Sequence, residues 1–234
     1  MNYIFNFVFI LAVCFFLPYC AAASDRSAFI DYKVDTIKID AGQSNPGKIY
    51  IQSVNVQSGN GLNGVVVKNI NSALRVFLDE FKVDANRCAK VMHTGPWGYY
   101  VKFEKVIYSR EYLSFVFEKQ AVCANSPIDD KESLVVSRES GFAVPKDKMF
   151  MTELPHLIKP QLTTKGRLRL ADSALDKMLK DSTKNLGGVR EGCDLFLRGT
   201  SYSAWVDWGT IILYPEFIQS NSYCQKEYTI NTLE

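Results

Sequence analysis

The cysteines of this chain stand far apart, and that spacing limits what the chain can be. Beyond the apolar N-terminal stretch lie Cys88, Cys123, Cys193 and Cys224, no two closer than the 31 positions from 193 to 224. A zinc site needs C-x-x-C spacing or clustered histidines. A nucleophilic cysteine needs a histidine base, and the chain has only His93, in "VMHTGPWG", and His156, in "ELPHLIKP". Neither sits in a nucleophile context. An even set of four cysteines in an oxidising compartment reads as a pair of disulfides. Three pairings exist; Cys88–Cys123 with Cys193–Cys224, which joins near neighbours within each half, is the one expected. No metal site and no cofactor are expected.

The compartment is read from the N-terminus. The first charged residue is Asp25, and before it runs "NYIFNFVFILAVCFFLPY" followed by "CAAAS". An apolar core of about 15 residues followed by small ones matches a secretory signal. It falls short of the roughly 20 residues that span a bilayer, so no stable membrane span is expected. Ala21 and Ala23 place cleavage between Ala23 and Ser24, which removes Cys14 and Cys20. The n-region "MNYIFNF" lacks the usual Lys or Arg. Acylation at Cys20, giving a lipoprotein, is the alternative, although Tyr19 is bulky for the position before a lipidated cysteine. A periplasmic or secreted protein is expected. Residues 24–234 are expected to form one α+β domain, with 24–125 and 126–234 as sub-domains. With 27 Lys+Arg against 25 Asp+Glu and no basic run, nucleic acid is not an expected partner.

Patterning gives the elements. "YKVDTIKID" (32–40) and "KIYIQSVNVQ" (48–57) alternate as strands. Val66, Ile70, Leu74, Phe77, Leu78 and Phe81 recur at spacings of three and four and make one apolar helical stripe, with Lys68, Asn71, Arg75, Asp79 and Lys82 on the polar face. Tyr99, Val101 and Phe103, then Leu113, Phe115 and Phe117, alternate with polar residues on either side of "SRE" (109–111), which reads as a hairpin. A polar loop, "SPIDD", precedes a third strand, "SLVVS" (133–137), and a turn, "ESGF" (139–142). "LADSALDKMLKDSTKNLGG" reads as a short helix with Leu175, Met178 and Leu179 inward, Asp172 as N-cap and Gly187 as C-cap. "CDLFLRG" (193–199), "GTIILY" (209–214) and "KEYTIN" (226–231) read as strands. The order predicts an α+β fold with mixed or antiparallel sheets, an amphipathic helix in the first half and a short helix in the second.

"YSREYLSFVFE", Tyr108 to Glu118, fits the motif Y-x-x-x-Y-L-S-hydrophobic-x-hydrophobic-E. With it, the chain from about residue 30 to 234 resembles the C-terminal extracytoplasmic domain of RsiV-like anti-sigma factors and of some peptidoglycan deacetylases. In such domains a variable loop, a strand, a G-x-x-hydrophobic turn and a phenylalanine-led helix follow the motif; here "SPIDD", "SLVVS", "SGFAV" and "KMFMTELPHLI" are similar. "CDLFLRG", "DWGTIILYPEF" and "EYTINTLE" resemble the closing strands. One departure is the loop after the hairpin, where relatives carry Gly-Gly-Ala-His and this chain has "CANSPIDD". The resemblance implies an envelope protein that accompanies cell-wall chemistry. Its anti-sigma members bind lysozyme, so a wall-degrading enzyme, met as its inhibitor or immunity partner, is the implied ligand.

The residues themselves favour binding over catalysis. No P-loop, Rossmann glycine run, H-E-x-x-H, G-x-S-x-G or S-x-x-K occurs. Asp207 in "VDWG" and the Asp129–Asp130 pair in "PIDD" are the carboxylates that acid/base work would use. Paired Asp beside Pro and Ser is the composition of a solvated turn, so no catalytic residue is expected. "GPWGYY" (95–100) and "YSAWVDWG" (202–209) hold all three tryptophans. Trp97, Tyr99, Trp205 and Trp208 are therefore the candidate partner-binding residues, since such rings bury much area at low entropic cost. They suit a protein surface or a sugar face. The same rings can instead close the sheet core, and a purely structural envelope role, or a hydrolase, remains the competing reading.

Overall fold

The computed structural model describes residues 30–40, 48–91, 97–123, 126–185, 192–217 and 223–232. The expected signal segment, with Cys14, Cys20 and the Ala23–Ser24 junction, lies outside these, as do His93 and Gly187.

Five strands build the first sheet in chain order: β1 (Ile30–Asp40), β2 (Lys48–Gly59), β3 (Gly98–Tyr108), β4 (Tyr112–Cys123) and β5 (Ser126–Ser137). All neighbours are antiparallel except β2 and β3. A parallel pair needs a crossover, which helix α1 (Gly64–Val91) supplies. Asn63 caps it, its Oδ1 accepting from the amides of Val65 and Val66 at 3.0 Å. The predicted stripe packs on the sheet, with Ile70, Leu74, Leu78 and Phe81 buried against Val101, Phe115 and Phe117. Burying a side chain of that size stabilises by roughly 1.5–3 kcal/mol. Asn71, placed by its polarity on the outer face, instead turns inward: its amide exchanges two 2.8 Å bonds with the backbone of Val56. At Gly141 (φ +75°) a Cβ would stand 2.4 Å from the carbonyl of Val66, so the turn after β5 can lie on α1 only with glycine there.

The second sheet is antiparallel, in the order β10 (Tyr228–Asn231), β9 (Thr210–Pro215), β8 (Tyr202–Asp207), β7 (Leu168–Arg169), β6 (Gln161–Leu162). Helix α2 (Lys146–Glu153) leads into it, and α3 (Asp172–Asn185) and α4 (Cys193–Arg198) lie between β7 and β8 in the chain. The first sheet therefore carries α1 on one face and β8 on the other. Ser133 Oγ donates to the carbonyl of Ala204 at 2.7 Å, and Ser114 Oγ accepts from the amide of Val206 at 3.3 Å, so small hydroxyls satisfy the contact between sheets. α3 lies along β10: Asp181 Oδ2 accepts from the amide of Asn231 at 2.9 Å and Ser182 Oγ from that of Thr229 at 3.0 Å.

The α+β class, the two antiparallel or mixed sheets, the early amphipathic helix and the later short one are all present. Two local expectations are corrected. "CDLFLR" is helix, not strand: Cys193 and Leu197, one turn apart, are buried, whereas Leu195, which a strand would put on the same face, is 73% exposed. "SPIDD" is not a loop but the start of β5, paired residue by residue with Cys123 to Lys119 of β4. Asp172 stands in the first turn of α3, and the carbonyl that receives the first helical amides belongs to Ala171.

Candidate functional site

Both expected disulfides are formed. Cys88, in the last turns of α1, is joined to Cys123 at the end of β4, with Cα atoms 5.2 Å apart; Cys193, opening α4, is joined to Cys224 with Cα atoms 5.6 Å apart. Disulfides persist where the surroundings are oxidising. No helix among the described residues is long and apolar enough to cross a membrane, and no group of three His, Cys, Asp or Glu among them could hold a metal ion.

The four candidate aromatics do not share a surface. Trp97 and Tyr99 are buried in the core between α1 and the first sheet, and Trp205 in the core of the second half. For these three the other reading of the rings, that they close the sheet core, is the one the structure has: they face packed layers, where covering a large ring stabilises most. Trp208 is the exception at 54% exposed. Asp207 pairs with Thr210, so Trp208 and Gly209 form a two-residue turn between β8 and β9. Their φ angles are 20° and 72°, both positive, as a type I′ hairpin turn requires. Asn, Asp or Gly usually fills the first of these positions. A bulky ring there costs of order 1–3 kcal/mol of backbone strain, and here it projects from a hairpin whose flanking strands are buried. Asp207 is exposed at the same tip.

A second constellation joins the two sheets. On β5, Asp130 and Glu132 sit opposite Lys119 and Phe117 of β4. Arg167 comes from the turn before β7. Its backbone is fixed by Thr163, whose amide donates to the Arg167 carbonyl at 2.8 Å and whose Oγ1 accepts from the Arg167 amide at 3.1 Å. The guanidinium is 1% exposed, and its Nη2 donates to both Asp130 and Glu132. Glu216, just past β9, lies 3.8 Å from Arg167 Nε and is held by Ser201 Oγ at 2.9 Å. Lys146, opening α2, stands 3.9 Å from Glu132 and donates to Ser203 Oγ at 3.3 Å.

The electrostatics follow from burial. Desolvation pushes the Asp130 carboxyl up to about 6, with Arg167 pulling it back and Glu132 adding to the rise. Burial presses Glu132 upward too, but Arg167 and Lys146 outweigh it and hold its carboxyl below the usual value. Burial lowers the Lys146 ammonium, with Glu132 opposing. Asp130, 3% exposed, is closed to any substrate. Glu132, Lys146 and Glu216 instead line a cleft of about 730 Å³ against Phe77, Glu80 and Asp84 of α1. Removing one member of a buried charge network leaves its partners uncompensated, typically at 3–5 kcal/mol. The cluster is first of all a tie between the sheets. Sequence reasoning missed it. Arg167 carries no local signal, and its partners lie 37 and 35 residues away.

No protein-family model matches the chain, and no curated protein sequence is similar to it. Among solved structures, a member of the DUF3298 family from Bacteroides fragilis superposes over 87% of this chain and 91% of its own, with a TM-score of 0.49 and 9% identity. It is a distant structural neighbour.

Proposed function

We propose that this protein is exported to the periplasm or beyond the cell and works by binding another macromolecule, with Trp208 as the central anchor. The observation that carries the reading is the position of that ring: exposed, strained in its backbone, and held on a rigid turn between buried strands. Tryptophans of this kind contribute disproportionately to binding energy. The resemblance to the RsiV-like extracytoplasmic domain, through "YSREYLSFVFE", makes a lysozyme-like wall hydrolase the first partner to test, with an inhibitor or immunity role. A cell-wall glycan is the second, because an exposed indole face also stacks on sugars. On this reading no side chain of the protein turns over a substrate, and residues 24–234 act as one unit.

Titration of the purified protein against a lysozyme-like hydrolase and against peptidoglycan fragments tests this. Trp208→Ala is expected to cost at least about 2 kcal/mol of affinity, roughly thirtyfold, without a change in thermal midpoint. Trp205→Ala, a core truncation, is expected to cost about 3–5 kcal/mol of stability. Unchanged binding by Trp208→Ala sinks the anchor assignment. Hydrolysis of peptidoglycan by the protein alone overturns the binding reading.

A further inference from the structure

The two sheets have four edges, and three are blunted. β5 is covered at one end by the following segment, where Val136 bridges Ala143 and the amide of Val144 donates to Val135 at 2.8 Å. β10 is capped by the side chains of Asp181 and Ser182 from α3. β6 is only two residues long. The remaining edge is β1, eleven residues without a proline, and among the described residues nothing pairs with its outer side. A long bare edge is a template for another strand, and folded proteins usually shorten, charge or cover it.

β1 is charged, but in a self-complementary way. Lys33 and Asp35 share one face, 3.0 Å apart. Tyr32 and Val34 share the other, opposite the core residues Val56 and Val54 of β2, yet are left 37% and 38% exposed. We propose that β1 pairs antiparallel with β1 of a second copy of this chain, with Val34 on the two-fold axis. That register sets Lys33 against Asp35 of the other copy twice over. It also sets Val34 beside Val34 and Tyr32 beside Thr36, covering the two exposed apolar side chains. Sliding by one pair in either direction stacks Lys33 on Lys33 or Asp35 on Asp35, and like charges directly opposite are destabilising. The charge pattern thus selects one register and one partner, and the first sheet becomes continuous across the dimer.

Sedimentation equilibrium on the purified, disulfide-intact protein tests the proposal. A reversible dimer is expected. Lys33→Asp and Asp35→Lys, each placing like charges across the axis, are expected to weaken it on the order of tenfold or more. The double variant Lys33→Asp/Asp35→Lys, which restores opposite charges, is expected to recover it. Both sites are exposed, and unchanged far-ultraviolet circular dichroism establishes that each of the three variants is folded. Under mild oxidation Val34→Cys is expected to crosslink two copies through the introduced thiols. A wild type that stays monomeric at its highest soluble concentration overturns the proposal. So does a dimer that is indifferent to Lys33→Asp, or one that the double variant fails to restore.

Discussion

Asp130 and Glu132 are two positions apart on one strand, share a guanidinium, and are driven in opposite directions. A raised folded pKa, as for Asp130, means that between about pH 6 and 3.8 the native state holds a proton the unfolded chain has lost. Its contribution to stability is absent well above pH 6, grows as pH falls through 6, and is complete below 3.8. Glu132 has the opposite sign: its contribution is present above the ordinary value of 4.5 and is lost as pH falls through its lowered folded value. In urea titrations the wild type is therefore expected to draw about 1 kcal/mol from Asp130 on going from about pH 7.5 to about pH 5, and Asp130→Asn to lack that gain. The same pH dependence in both proteins would rule Asp130 out as the titrating group. None of this was legible in "SPIDD". Ser, Pro and paired Asp have the composition of a turn, and only the distant Arg167 makes a strand of them affordable. The aromatic segments were found, but a ring's spacing along a strand does not say whether the layer it faces is protein or water. Of the four candidate rings, only Trp208, beside the turn glycine, is outside.

Among the elements, α1 was the most legible, because its large apolar residues recur with the helical period. Its last turns were not, since the buried positions there shrink to Ala85 and Cys88 and the stripe fades. The disulfide makes up for that fading: Cys88 fastens the thinly packed end of α1 to the end of β4. The bridge closes a loop of 35 residues, for which the chain-entropy account gives roughly 3–4 kcal/mol. The paired variant Cys88→Ser/Cys123→Ser is expected to lose about that much in a denaturant titration. Hydrogen exchange is expected to quicken first near the C-terminal end of α1 rather than at its Asn63 cap. Loss spread evenly along the helix would show that packing alone holds that end. α4 failed for a different reason: "CDLFLR" satisfies both a two-residue and a four-residue period, and Tyr202, whose hydroxyl donates to the Leu197 carbonyl, lies outside the segment.

At the scale of the molecule, the two disulfides fit an oxidising, non-cytoplasmic place. Export with cleavage after Ala23 is expected to give a mature mass beginning at Ser24; an acylated Cys20 would instead make it a lipoprotein, and intact-mass spectrometry distinguishes the two. The tie between the sheets also has a history in time. Asp130 and Glu132 leave the ribosome 37 and 35 residues ahead of Arg167. Without Arg167 and the second sheet, β5 is an outer strand of the first sheet that carries two carboxylates with no counter-charge from the later chain. Charges on an edge keep it from templating onto a neighbouring chain. The acids that are costly to enclose in the finished protein are thus of the kind that disfavours mispairing of a strand before its counter-charge is in place.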